Sequence, residues 1–378
     1  MKKNLLIFSH EGALDGNAYE YFGIKFLKKK FKLKIFNISK LFIKDFDKIL
    51  KKYKNSICFE MGYNLRSFLL RLKIKKYNSL LASVYALSSY PADAYNNLGQ
   101  GDKIGSFFQK LKRRFKLLST PNIFFYKLVN FIVIKLRFFY HNDIVFHGGT
   151  ESYKYLGFNS AKYKIYASSL DYGVYLKNKK KIKKLYKKKY ALFIDTHFPF
   201  HPDHKHDTSL FISSSEYFRK LEFFFREFEK VTKLKIIIAL HPKADLKKYP
   251  AYIKKFKIIR NQTVALIKYA KLVLQHGSTA QSFAIIYKKP LIFLTSDQML
   301  KYEFIFNHNL CLNLLGSKLI NVEDIDYKFL SNKKKLFYFN KSLYRNYFSK
   351  YLKHPKSPNK PWYEIFYDFT TKKTNLFS

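Results

Sequence analysis

The chain has 378 residues, 47% hydrophobic and 19% aromatic, which is enough apolar surface for two cores of ordinary size and excludes disorder as its main state. Its formal net charge is +46, from 72 Lys+Arg against 26 Asp+Glu, but only 9 of the basic residues are Arg. Readers of nucleic acid lean on Arg for bidentate contacts to bases and phosphates. This lysine-dominated charge therefore argues against a nucleic-acid partner and for attraction to nucleotide phosphates and an anionic membrane surface.

At the N-terminus, Lys2 and Lys3 precede an apolar run, Leu5-Leu6-Ile7-Phe8, that meets His10-Glu11 at once. The run is too short for a secretory signal and predicts a buried strand over 4–9. Turn chemistry follows from Glu11 through Gly12, Asp15, Gly16 and Asn17, and then a helix over 18–27. Strands are expected over 32–38 and 56–60, the latter ending at Glu60, with a helix over 64–77. Residues 90–105, which hold Pro91, Asp93 and several Gly and Asn, read as a loop. The apolar stretch 123–140 is interrupted by Lys127, Lys135 and Arg137 and falls short of the ~20 uninterrupted apolar residues that span a bilayer. It reads as a core helix or as a basic amphipathic helix on a membrane face. Strands over 143–146 and 163–167 follow, the first stopped by His147-Gly148-Gly149-Thr150-Glu151.

A lysine run over 177–189 marks a change of composition and the expected lobe boundary. Beyond it the alternation restarts. Strands are expected over 190–195, 235–240, 258–259, 272–274 and 290–294, and helices over 213–232, 263–270 and, after Gln275-His276-Gly277-Ser278-Thr279, through Tyr287. Alternating strands and helices with short loops imply mostly parallel sheets, and the expected fold is α/β, with two Rossmann-like lobes and a cleft between them. The lobes are placed at 1–176 and 190–345. A tail over 346–378, whose Trp362, Tyr363, Phe366 and Tyr367 predict a helix with an aromatic face, is placed against the first lobe by fold-level analogy. Cys58 and Cys311 lie in separate apolar runs and read as buried free thiols of a reducing compartment.

In open parallel sheets ligands bind beyond the carboxyl ends of the strands. In the second half those ends carry Asp195-Thr196-His197, His241-Pro242-Lys243, Gln275-His276-Gly277-Ser278-Thr279 and Ser296-Asp297. Gly277 permits a tight turn, and Ser278 or Thr279 stands where a helix N-cap belongs, an arrangement suited to donor phosphate. Pro242 fixes the loop that displays His241, whose imidazole suits hydrogen bonding to phosphate or general-acid work, and Lys243 adds charge. His197, His201, His204 and His206 with Asp203 and Asp207 match no familiar zinc spacing, and no metal or cofactor is expected. Gly-x-Ser-x-Gly, Walker and Gly-x-Gly-x-x-Gly signatures are absent.

The order His241-Pro242, then Ser278-Thr279, then Lys289-Pro290-Leu291-Ile292-Phe293 resembles the donor lobe of GT-B glycosyltransferases of bacterial surface polysaccharides, lipopolysaccharide and capsule. In the bacterial sialyl- and polysialyltransferases, His-Pro and Ser/Thr-Ser motifs bind the CMP donor, and the polyol-phosphate polymerases of teichoic-acid synthesis are related. The likeness covers about 165–300. The acidic pair followed by Gly that the sialyltransferases carry in the first lobe is absent, which leaves sialic acid unsupported as the sugar. The resemblance implies inverting, metal-independent transfer from a CMP- or UDP-linked donor to a glycan or lipid-linked glycan, on the inner face of the cytoplasmic membrane. It also implies a base carboxylate in the first lobe. Asp15 and Glu11, among flexible glycines, are the preferred pair, and Glu60 and Glu151 are the other candidates. Donor-binding candidates are Ser278, Thr279, Gly277, His276, Gln275, Lys243, Asp195 and His197, with His241 as the acid. A CDP-polyol phosphotransferase and a nucleotide-sugar 2-epimerase stand as alternatives, with a basic nucleic-acid-binding protein as the distant one.

Overall fold

The computed structural model describes residues 2–9, 14, 17–60, 65–84, 87, 142–154, 161–200, 213–300, 312–373 and 376. The chain divides into two compact units, Met1–Lys177 with Ser349–Ser378, and Asn178–Phe348.

The N-terminal unit is a six-stranded sheet of β1 (Asn4–Ser9), β2 (Lys32–Asn37), β3 (Ile57–Glu60), β4 (Leu80–Ser83), β5 (Ile144–His147) and β6 (Tyr163–Tyr166). Its order is β2-β1-β3-β4-β5-β6, and every pairing is parallel. Such a sheet must bury both faces, and the strand alternation shows how it does so. Leu6, Phe8, Cys58 and Leu81 face Phe46 and Leu50 of the helix Ile43–Lys52 and Leu70 and Ile74 of the helix Leu65–Lys76. Leu5, Ile7, Ile57, Phe59, Ile144 and Phe146 face the opposite way, onto Ile24 and Leu27 and onto the helix Trp362–Lys372.

That last helix gives the unit much of its aromatic core. Trp362 packs edge-on against Phe59 and Phe146 at 5.7 and 5.4 Å between centroids, and Phe366 stacks on Phe31 at 5.3 Å. The single helix expected over 18–27 is two, Asn17–Tyr21 and Ile24–Lys30. The break is Gly23, at φ +63, a left-handed conformation that needs glycine, and the Tyr363 ring lies 2.1 Å from where a Cβ would stand. Strand β4 escapes the sequence pattern, because its apolar run carries on past Ser83 into Val84 without the abrupt polar stop that ends β3 and β5. The stretches 90–105 and 123–140 lie outside the described residues.

The C-terminal unit is a second parallel six-stranded sheet: β7 (Tyr190–Ile194), β8 (Lys235–Leu240), β9 (Lys257–Arg260), β10 (Leu272–Gln275), β11 (Leu291–Thr295) and β12 (Lys318–Asn321). The order β12-β11-β10-β7-β8-β9 is that of a doubly wound Rossmann sheet. One face packs Phe193, Ile236, Ile238, Leu272, Leu274, Ile292 and Leu294 against the aromatic stripe of the 19-residue helix Ser214–Thr232. The other carries Leu192, Ile194, Ile237, Val273 and Phe293, all buried, with the helix Thr263–Tyr269 packed on β7 and β8. Strand β12 extends the sheet beyond what sequence periodicity indicates. Among the described residues no helix is long and apolar enough to cross a membrane.

Candidate functional site

In the C-terminal sheet the strand order reverses direction between β7 and β10, and ligands of doubly wound sheets occupy the crevice outside that switch point. The carboxyl ends there run in the order β11, β10, β7, β8 and bring together the segments that begin at Thr295, Gln275, Asp195 and His241.

Asp195 organises the β7 side. One carboxylate oxygen accepts the His197 N–H at 2.9 Å, and the other accepts the His241 N–H at 3.1 Å and the Tyr249 hydroxyl at 2.8 Å. Burial pushes the Asp195 carboxyl above its ordinary range, against the pull of those hydrogen bonds and of Arg260. With its proton given to Asp195, Tyr249 must accept from His197 Nδ1 at 3.1 Å, which fixes the Nδ1–H tautomer of His197. His197 is buried and itself holds φ 58, a strained conformation kept in place by these contacts. Asp195 is thus a positioning group, held too fully to grip a ligand with its side chain.

His241 is half-buried, and its Nδ1 accepts the Lys243 N–H at 3.2 Å. The proton of the neutral ring therefore lies on Nε2, a hydrogen-bond donor. Arg260, on β9, holds the loop by donating to the Pro242 and Ala244 carbonyls at 3.0 and 2.7 Å, while Lys243 is exposed. The His197 and His241 rings lie parallel, 6.0 Å apart. Sequence reasoning missed Tyr249 and Arg260. Neither belongs to a motif, and both act across a long stretch of chain.

On the β10 side, Gln275 is fully buried. Its carbonyl oxygen accepts the Ser278 N–H at 3.1 Å and its amide donates to Gln281 at 2.9 Å, and Gln281 donates to the Tyr347 hydroxyl at 3.0 Å. Gly277 sits at φ 143 and turns the chain. The helix begins later than expected: its N-cap is Ala280 and its residues are Gln281–Ile286, so Ser278 and Thr279 precede it. Ser278 Oγ accepts the Ala280 N–H at 3.2 Å, and Thr279 is exposed.

His276 departs from its expected ligand role. Its Nδ1–H donates to the Leu294 carbonyl at 2.9 Å, and its Nε2 accepts from the Tyr217 hydroxyl at 2.8 Å, so both ring nitrogens are spent inside the core. Burial lowers its pKa to about 4 and keeps it neutral. Gln275 is likewise spent in shaping the loop.

In the N-terminal unit, Glu60 closes β3 and pairs with Arg71 at 2.6 Å, the side chains 0% and 2% exposed. That engagement is structural, since withdrawing the carboxylate would strand a buried guanidinium, and it argues against Glu60 as the base. Glu151 is partly buried and pairs with Lys154 at 2.8 Å, and its N–H donates to the Lys350 carbonyl at 3.1 Å. Glu11, Asp15, His201, Asp203, His204, His206, Asp207 and Cys311 lie outside the described residues, and Cys58 is a buried free thiol. Among the described residues no group of His, Cys, Asp and Glu is placed to hold a metal ion.

Two Rossmann-like units make up the GT-B fold, and solved structures of that fold resemble this chain. The UDP-GlcNAc 2-epimerase of Methanocaldococcus jannaschii shares the fold at a TM-score of 0.53 and 14% identity, over 98% of this chain and 100% of its own. The Neisseria meningitidis UDP-GlcNAc 2-epimerase bound to UDP-GlcNAc matches at 0.48 and 12%, over 99% of each chain. Acinetobacter baumannii MurG matches at 0.42 and 9%, over 98% of this chain and 99% of its own. No family model matches the chain, and no curated protein is similar to it in sequence.

Proposed function

We propose that the chain is a glycosyltransferase that moves a sugar from a nucleotide-sugar donor to a growing surface glycan, with the donor nucleotide held by the C-terminal unit. One observation carries this reading. At the switch point, three neighbouring strand ends bring together the His241-Pro242-Lys243 loop, the Asp195–Tyr249–His197 network that fixes it, and the Gly277-Ser278 turn. Neutral donors converging at a Rossmann switch point suit phosphoryl oxygens. Lys243 and the exposed Thr279 belong to the same donor site, and Asp15 or Glu11 of the N-terminal unit would take the acceptor proton.

The fold likeness to a UDP-GlcNAc 2-epimerase over almost the whole chain favours a second reading, epimerisation of a UDP-sugar. Incubation with UDP-GlcNAc alone separates the two. A new C2 epimer in the proton spectrum without an acceptor supports the epimerase, and release of sugar only when a glycan acceptor is present supports the transferase. For either reading, His241→Ala is expected to weaken nucleotide binding roughly tenfold or more, the worth of a hydrogen bond to a charged group, with the melting temperature nearly unchanged. Wild-type nucleotide affinity in that variant would remove the assignment.

A further inference from the structure

The amino ends of β11 and β12 border a cavity of about 530 Å³, at the opposite end of the sheet from the switch-point loops. Leu291, Leu315, Phe329 and Leu336 give it an apolar lining. Its charged lining is cationic: Lys318, Lys334 and Lys335, with no Asp or Glu beside them among the described residues. The volume suits a small amphiphile or part of a larger one, and the donor site makes no use of it.

Local sequence builds the mouth. Asn332 caps the short helix Lys333–Leu336 by accepting the Lys335 N–H at 3.1 Å, and Leu336 is buried while Lys333, Lys334 and Lys335 are exposed. Asn340 caps the next helix, Lys341–Tyr347, by accepting the Ser342 and Leu343 N–H groups at 3.0 Å each. The Tyr344 hydroxyl fastens that helix to the sheet by donating to the Lys289 carbonyl at 2.9 Å. Between the two anchored helices, Phe337 is 38% exposed and Tyr338 64%. Large rings held in water beside a cavity mark an interaction surface. The surrounding charge has one sign. From Tyr327 to Lys350 the chain has six Lys, one Arg and no Asp or Glu. Lys318 is paired with Asp326 at 2.9 Å, whereas Lys334 and Lys335 meet no carboxylate among the described residues.

We propose that this cavity takes an anionic membrane lipid, with its phosphate at Lys334 and Lys335 and part of its tail against Leu291, Phe329 and Leu336. A cationic mouth over an apolar lining fits a molecule that is anionic at one end and apolar at the other. A nucleotide fits it poorly, because its base and ribose would give up hydrogen bonds to water against leucine and phenylalanine. Aromatic rings such as Tyr338 favour the headgroup level of a bilayer, and lysines beside an anionic leaflet add attraction over a Debye length. Lipid and donor nucleotide then occupy opposite ends of the same strands, and neither needs the other in order to bind.

Two measurements on the full chain test this. Calorimetric titration with inorganic phosphate, hexyl phosphate and octyl phosphate, all below micellar concentration, reads the cavity. Flotation with vesicles of phosphatidylcholine, alone or mixed with phosphatidylglycerol, reads the membrane. Octyl phosphate is expected to bind roughly tenfold tighter than hexyl phosphate, at about fourfold for each methylene taken from water, and inorganic phosphate far more weakly than either. Vesicles should bind only when they contain phosphatidylglycerol. Lys334→Gln combined with Lys335→Gln should lose roughly tenfold toward both octyl phosphate and those vesicles, and Tyr338→Ser should weaken vesicle binding with no change of charge. Lys183→Gln combined with Lys184→Gln removes the same charge from the exposed lysine run before β7 and should stay within about threefold of wild type. Every substituted position is exposed, so melting temperatures should stay at the wild-type value. Equal losses in the two lysine pairs would mean diffuse charge attraction and overturn the site. Inorganic phosphate binding as tightly as octyl phosphate, or UDP displacing octyl phosphate, would overturn it as well. So would a dimer that Tyr338→Ser dissociates, since the exposed rings would then belong to a second copy.

Discussion

At the scale of single residues, the histidines show how one residue type divides into roles by its partners. His241 shapes its strand-end loop by accepting the Lys243 N–H, while His276 closes the core between β10, β11 and the helix Ser214–Thr232. Both follow hydrophobic strands, and nothing in sequence distinguishes them. Replacing His276 by Phe would strand the Leu294 carbonyl and the Tyr217 hydroxyl, and is expected to cost about 2–4 kcal/mol of stability in urea unfolding. The cost should depend on pH. A histidine with its folded pKa near 4 and an unfolded value near 6.5 binds its proton more readily in the unfolded chain between those values. Wild type thus loses stability as pH falls from 6.5 to 4, while the Phe variant lacks that penalty, so the gap between them should narrow across this window. Subtracting the variant removes the opposite contribution of Asp195, whose raised pKa makes the folded state the better proton binder. A gap constant from pH 7 to 4 would contradict a neutral, core-bound His276.

At the scale of elements, legibility follows the number of residues over which a signal is written. Strands β7, β8, β10 and β11 are readable because each is an unbroken apolar run ending abruptly in polar residues, the pattern of a parallel strand covered on both faces. Strands β4 and β12 are not: β4 runs on past Ser83 into Val84 with no abrupt polar stop, and β12 holds only Leu319 and Ile320 between Lys318 and Asn321. The helix Gln281–Ile286 starts later than its sequence suggests for a related reason. Ser278 has the chemistry of a cap, but Gln275 takes the Ser278 N–H and draws the loop into a separate turn before the helix begins. Gly23 shows the same limit, since its need for positive φ is visible only once the chain path is known, whereas the turn at Gly277 is anticipated from its place just after a strand. For Gly277 that need is testable. At φ 143 an alanine is strained, so Gly277→Ala should lower stability by about 1–3 kcal/mol in thermal unfolding. Because the strain sits between Gln275 and Ser278, nucleotide affinity should fall as well. An alanine variant that melts and binds like wild type would mean that this backbone conformation is not required.

At the scale of the whole molecule, the two sheets have different fates in sequence. The C-terminal sheet is contiguous in the chain, and its four polar strand ends stand out from the amino-acid sequence alone. The site inside it is legible there as a set of loops but not as a network, since the Tyr249–Asp195 bond joins residues 54 apart. The N-terminal unit draws on both chain ends, with Ser349–Ser378 completing it and Trp362 reaching back to the Tyr21 carbonyl at 3.3 Å. That division sets up a measurement on the intact protein. A ligand that binds only the folded state raises local stability where it binds, by an amount that grows with the logarithm of its concentration over Kd. Hydrogen exchange with and without UDP should therefore show added protection in three stretches of the C-terminal unit, 195–197, 241–244 and 275–282, whose backbone N–H groups form or flank the strand-end loops. The amides of β1, β3 and the helix Trp362–Lys372 should exchange at unchanged rates, because they belong to a core built from other residues. Protection centred instead on the amino ends of β11 and β12, around Leu291 and Lys318, would place the nucleotide in the cavity of about 530 Å³ lined there by Phe329, Tyr338 and Tyr344, and would displace the switch point as the donor site.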